Sequence, residues 1–150
     1  GHFADRALAL DPNNAWAWSR RGFIDAYRGR PEAAIAAFEH AERLSPLDPF
    51  SYNTHVGRAF AYFAMGRYDD AIAAMERAVR EKRATTWAQR DFAAFYACAG
   101  RIDDARHAVH ELMATRPGLT VAGVGAALRF VEPGILKRYL AALKAAGLPD

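Results

Sequence analysis

The chain has 150 residues, 52% of them apolar and 25% charged, with a formal net charge of +3. That length allows one domain with its own core, and the interleaving of acids and bases speaks against a dedicated nucleic-acid binder, which carries a basic stripe. The one cysteine, Cys98, excludes an internal disulfide framework and a thiolate metal cluster, and no apolar run approaches the ~20 residues of a membrane-spanning helix.

Gly1-His2 reads as the scar of a cleaved purification tag and is set aside. Residues 3–10 carry Phe3, Ala7, Leu8 and Leu10 and run into Asp11-Pro12-Asn13-Asn14. This is the last part of a helix stopped by a proline turn. It lacks a preceding partner helix, which points to a longer parent chain. Asn14 is expected to cap a helix over 14–28, on which Trp18 and Gly22 share a face. Gly29 ends that helix, and Pro31 suits the first turn of the next, over 31–44, with Ala34, Phe38 and Ala41 at helical spacing.

The joint at 45–49 is irregular. Asp48 as cap and Pro49 at the first helical position predict an early helix start, running to Met65, with a longer loop as the alternative. Residues 68–82 form its partner, with Ala71, Met75 and Ala78 inward; 86–99 and 102–115 repeat the pair. Residues 120–131 are small and apolar, and Glu132-Pro133 breaks that helix. Over 133–146, Leu136, Leu140 and Leu143 share one face, with Lys137, Arg138 and Lys144 mostly off it. Such a terminal helix is what a repeat array needs to cover its last unit.

One phrase recurs three times: Gly29-Arg30-Pro31-Glu32, Gly66-Arg67-Tyr68-Asp69-Asp70 and Gly100-Arg101-Ile102-Asp103-Asp104. Its glycines are 37 and then 34 residues apart, a period that marks a helical repeat array. The acidic pairs at the helix starts have a local cause, since negative charge favours the positive end of a helix by ~0.3–1 kcal/mol.

Aligned on those glycines, the chain resembles the tetratricopeptide repeat (TPR) family. Trp18, Gly22, Gly29, Ala34, Phe38, Ala41 and Pro46 meet the pattern in the first unit. Ala59, Tyr62, Gly66, Ala71 and Ala78 do so in the second, and Ala93, Tyr96, Gly100, Ala105 and Pro117 in the third. Met75, Arg83, Val109 and Leu112 depart from it. The resemblance implies an all-α, right-handed superhelix of helix hairpins. It would consist of a partial repeat at 3–14, repeats at about 15–48, 49–85 and 86–119, and a degenerate capping pair at 120–146. A second resemblance rests on Leu44-Ser45-Pro46-Leu47-Asp48-Pro49 and on the stretch from Tyr139 to Asp150. These are similar to the carboxyl-terminal TPR regions of bacterial class III adenylate/guanylate cyclases and of winged-helix signalling proteins.

In TPR arrays the first helix of each pair lines a concave groove. Carried over residue by residue, the groove positions include Trp16, Arg20, Phe23 and Tyr27, then Asn53, Phe60 and Phe63, then Trp87 and Arg90. Such an aromatic groove suits an extended or helical peptide. For Phe23, Phe60 and Phe63 the alternative is burial between repeats. The lysine and asparagine with which some TPR proteins grip carboxylate tails are replaced by Ser19 and Phe23, then Val56 and Phe60. His107, His110 and Glu111 lack a zinc-protease spacing and a third ligand, and read as surface. Gly123-Val124-Gly125 reads as close helix packing rather than a nucleotide loop.

The expectation is therefore a non-catalytic protein-interaction module with no cofactor or metal, binding an unidentified protein or peptide in a cytoplasmic, reducing setting. Its parent would be a larger bacterial signalling protein such as an adenylate cyclase. Homodimerisation through the N-terminal end is the alternative, and nucleic-acid binding through the Trp/Arg groove a more distant one.

Overall fold

Helices run in chain order through residues 2–81 and 88–150, the residues described by a computed structural model. They are α1 (His2–Leu10), α2 (Ala15–Tyr27), α3 (Pro31–Leu44), α4 (Ser51–Ala64), α5 (Tyr68–Glu81), α6 (Ala88–Cys98), α7 (Ile102–Thr115), α8 (Val121–Ala127) and α9 (Pro133–Ala145). Among the described residues there is no strand. Successive helices pair as α2/α3, α4/α5 and α6/α7, and each hairpin stacks on the next, as an α-α superhelix requires. No helix among the described residues is long and apolar enough to cross a membrane.

The recurring phrase becomes a recurring turn. Gly29, Gly66 and Gly100 hold φ of 75°, 76° and 81°, a conformation that costs glycine no Cβ clash. The residue after each glycine donates its backbone N–H back to the helix it has just left: Arg30 to Asp25 O (2.8 Å), Arg67 to Tyr62 O (2.9 Å) and Arg101 to Tyr96 O (2.8 Å). This is the Schellman arrangement, in which a side-chain contact normally joins the two residues sharing that bond. Here the contact explains the arginine. Arg67 lies 4.8 Å over the Tyr62 ring and Arg101 4.6 Å over Tyr96. In the first turn Asp25 replaces the ring, and Arg30 grips its carboxylate at 2.8 and 2.5 Å. A fourth copy, unread in the sequence, ends α9. Gly147 has φ of 104°, and Leu148 N–H donates to Leu143 O with both leucines buried.

The core is small residues around a few rings. Phe38 of α3 is fully buried, and its ring lies where a Cβ on Gly22 or Gly57 would stand, at 2.7 Å and 2.1 Å. Two glycines on successive first helices thus make room for one ring. Ala71, Met75 and Ala78 face inward as expected.

Three expectations need correction. Helix α4 starts at Ser51, later than the Asp48-Pro49 reading. The Asp48 carboxylate accepts from Phe50 N–H (2.9 Å) and its carbonyl from Ser51 N–H (3.0 Å), so a side-chain turn uses the acid before it can cap a helix. Helix α8 ends at Ala127 rather than near residue 131. Val124 is its buried residue, and a short helix of small side chains gains little from packing. The buried stripe of α9 is Ile135, Tyr139, Ala142 and Leu143, continued past its end by Ala146, while Leu136 and Leu140 are half-buried and pack against the core. The stripe is wide because α9 packs on two sides. It lies against α6, and Leu140 meets the bare backbone of Gly125 in α8, where an added Cβ would be 3.1 Å from Leu140 Cδ1. The expected start of the helix over 86–99 lies outside the described residues.

Candidate functional site

The first helices α2, α4 and α6 present one face, and the structure divides it. Over the N-terminal parts of α2 and α4 the face is open. Trp16 is 67% exposed, and the Arg20 guanidinium sits 5.8 Å from its ring centroid. Among the described residues Arg20 pairs with no carboxylate. One turn further along α2, Phe23 packs edge-on against Phe38 (5.2 Å) and beside Tyr27 (6.0 Å). Asn53 and Thr54 stand opposite on α4. Asp48 and Phe50 approach from the preceding turn, and Phe130 closes the far end from the segment after α8. Together these residues line a pocket of about 660 Å³.

Helix positions explain the geometry. Asn14 caps α2 by accepting from Ala17 N–H at 2.9 Å, and Trp18 Nε1 donates to Pro12 O at 2.8 Å. Trp18 therefore braces the entry turn, its ring edge-on to His40 (4.4 Å), while Trp16 two residues earlier points away from that contact and stays exposed. Tyr27 lies at the boundary of the open region, 5.1 Å from Phe60 and 5.1 Å from Phe130. Burial, reinforced by the Asp91 charge, pushes its phenol up to about 12.

The other part of the face is covered by α9. Phe60 and Phe63, expected in the groove, lie in the interior at 6% and 0% exposure. Phe63 stacks on Phe95 (5.3 Å) and meets Tyr139 edge-on (5.7 Å). The Arg138 guanidinium lies 5.2 Å over the Phe63 ring and donates to Phe63 O (3.2 Å), Ala64 O (2.8 Å) and Tyr68 Oη (3.0 Å). Arg138 thereby pairs the Ala64 carbonyl at the end of α4 and shares the Phe63 carbonyl with Gly66 N–H (3.0 Å). Arg90, also a groove expectation, is half-buried and donates from Nε to Tyr139 Oη (3.0 Å), while the Tyr139 hydroxyl donates to the Asp91 carboxylate. Burial raises the Asp91 carboxyl above its usual range, and Arg90 and the Tyr139 hydroxyl oppose that shift. The entry to α9 is fixed as well: Glu132 N–H donates to Tyr27 O (2.7 Å), and its carboxylate accepts from Gly134 and Ile135 N–H.

Of the expected groove residues, Trp16, Arg20, Phe23, Tyr27 and Asn53 come together around the pocket. Phe60, Phe63 and Arg90 lie beneath α9, and Trp87 lies outside the described residues. Sequence reasoning missed Phe50, Phe130, Arg138 and Tyr139. Phe50 and Phe130 sit in turns, where no periodicity marks them. Arg138-Tyr139, the large polar pair of an Ala/Leu-rich helix, was a signal that could have been used. Elsewhere His107 faces Glu111 at 3.3 Å on an exposed face of α7. Asp70 and Asp104 hold Arg67 and Arg101, each at 2.8 Å. Cys98 is half-buried, its thiol pushed up by burial.

Three solved structures share the architecture. PilW, a type IV pilus biogenesis factor, aligns over 95% of this chain with a TM-score of 0.72 and 21% identity. The chain spans 66% of the length of PilW. Two structures of MamA align over 95% of this chain at 23% identity, with TM-scores of 0.62 and 0.61, covering 82% and 76% of their lengths. These likenesses concern the fold alone. A search of curated protein sequences finds no match. The tetratricopeptide repeat profile matches residues 25–85 and 62–128, more than half of the chain. With its left-handed glycine turns, paired helices and this match, the chain belongs to the tetratricopeptide repeat family, whose domains mediate protein–protein interaction.

Proposed function

We propose that the chain binds a segment of a partner protein in the open pocket between α2 and α4, without catalysis of its own. The observation that carries this reading is the exposed Trp16 beside Arg20, which has no carboxylate partner among the described residues, at the mouth of an aromatic pocket of about 660 Å³. Large rigid rings bury area at low entropic cost and dominate binding where they occur centrally. Arg20 adds a charged point for an acidic or carbonyl group, and Asn53 offers an amide to peptide backbone. Selecting peptides from a displayed random library tests this. Trp16→Ala and Phe23→Ala should each weaken the selected peptides by about 2 kcal/mol, the size of a central aromatic anchor. Arg106→Ala on α7 should leave them unchanged. Selected peptides indifferent to Trp16 and Phe23 would sink the reading.

The module is further proposed to serve a larger bacterial signalling protein, such as an adenylate cyclase, in a cytoplasmic setting. Support comes from the two stretches, Leu44–Pro49 and Tyr139–Asp150, that resemble the TPR regions of such proteins. The coding sequence upstream of Phe3 tests it, and a parent with no catalytic or winged-helix domain would refute it.

A second reading, self-association through α1, has its own observation: Phe3 and Leu10 are 83% and 86% exposed on that helix. Light scattering on Phe3→Glu/Leu10→Glu should then report a monomer where the unchanged chain reports a dimer. A monomer in both cases removes this reading.

A further inference from the structure

Helix α9 sits on the concave face as a bound helix sits in a groove. The interfaces between repeats are built from Ala26, Ala34, Phe38, Ala59, Met75 and their apolar neighbours. One ion pair, Arg58–Glu42 at 2.7 Å, also crosses from α3 to α4, and the α9 contact carries a denser set of directional polar bonds. Arg138 donates at the carbonyl end of α4 to Ala64 O and to Phe63 O, the latter also accepting from Gly66 N–H. The Tyr139 hydroxyl is read from two sides, accepting from Arg90 Nε at 3.0 Å and donating to the buried Asp91. Charge-assisted bonds of this kind give register and selectivity. The covered surface is continuous with the open pocket, since Tyr27 touches Phe60 on one side and Phe130 on the other. Within the connection α8 is lightly packed, with seven residues and one buried side chain, Gly118 before it and Gly123 and Gly125 within it; the hold on the repeats is at its end, where Val131 is buried and Glu132 N–H donates to Tyr27 O.

We propose that α9 is a displaceable occupant of a helix-binding groove, and that the groove accepts, from another protein, an amphipathic helix with the same pattern. That pattern is an Arg-Tyr pair with an aliphatic residue three places before the arginine and another four places after the tyrosine, as Ile135, Arg138, Tyr139 and Leu143 stand in α9. A two-sided hydroxyl site and the carbonyl end of α4 select this pair over an apolar helix. The inference deepens the interaction reading given above and names its second subsite. Release of α9 would lengthen the groove from α2 to α6 and uncover Phe60, Phe63 and Asp91.

The probe is a fluorescent peptide of residues 131–148. It is titrated into the full chain and into the full chain carrying Arg138→Ala/Tyr139→Ala, which disables the resident helix. Binding to the variant should be at least tenfold tighter than to the unchanged chain, and a peptide bearing the same two substitutions should bind neither. Equal binding to both chains, or to neither, overturns the proposal. A dimer of the variant that excludes the peptide assigns the groove to a second copy and overturns a foreign helix. Hydrogen exchange on the unchanged chain is independent of whether the variant folds. Amides of α9 should exchange at least tenfold faster than those of α4 and α6, as a locally opening element does; equal protection overturns displacement. Trp16→Ala should leave the 131–148 peptide unaffected, so failure of this inference and failure of the open-pocket reading are separable.

Discussion

The two parts of the concave face are made from the same helices and have opposite fates. Over the N-terminal ends of α2 and α4, Trp16, Arg20, Phe50 and Phe130 face solvent around a pocket. Over the C-terminal end of α4 and along α6, Phe60, Phe63 and Phe95 are sealed under α9. The residue types barely differ, since both parts are aromatic with an arginine nearby. What differs is coverage, and coverage converts an exposed aromatic face into a core. An aromatic residue on a first helix of such an array therefore has no fixed role until the terminal helix is placed.

Mutations should break the two parts differently. The largest effect is expected for Phe63→Ala, which leaves a cavity between Phe95, Tyr139 and Arg138. It should cost about 3–5 kcal/mol in urea unfolding, whereas Phe50→Ala in the open part should stay within about 0.5 kcal/mol. Similar costs at both positions would mean that the division is wrong.

Tyr139→Phe comes next. It strips the hydroxyl from a buried carboxylate and should cost about 1–3 kcal/mol at neutral pH. Its signature is pH dependence. The Asp91 carboxyl is raised in the folded chain, so its contribution is fully present below the unfolded value and lost as pH rises through the folded one. The Tyr139 hydroxyl opposes that rise. In Tyr139→Phe the loss should therefore extend to higher pH, and Asp91→Asn should flatten it. A pH-independent difference between Tyr139→Phe and the unchanged chain from pH 4 to 8 would refute the Asp91 linkage.

Arg138→Lys is expected to cost about 1–2 kcal/mol, because a point charge cannot span two carbonyls and a phenol as the planar guanidinium does. Full stability with lysine would show that charge alone anchors α9. Smallest in stability should be Trp16→Ala, within about 0.5 kcal/mol of the unchanged chain, while the proposed peptide binding should weaken by about 2 kcal/mol. A large loss of stability there would make Trp16 a structural residue.

Much of the array was legible because its signals are local. Gly29, Gly66 and Gly100 each need a backbone that other residues resist, and the turn follows from one residue type. Asn14 before Ala15 and Pro31 at a helix start act within one turn. The misreadings have local causes too. Asp48 could cap or turn, and its bond to Phe50 N–H settled the competition. Of the pocket lining, Trp16, Arg20, Phe23, Tyr27 and Asn53 were expected from groove positions carried over from the family resemblance. Phe50 and Phe130 were missed because turn residues carry no period.

The sequence by itself determined the family and the hairpins, because glycine conformation, helix capping and the 3.6-residue period act between near neighbours. Only the tertiary structure decided which part of the concave face is free. Arg138 meets Ala64 across 74 residues and Tyr139 meets Asp91 across 48. No local pattern encodes a contact over such a separation; it exists once α9 turns back at Glu132 and finds a helix's carbonyl end and a buried acid waiting on α4 and α6.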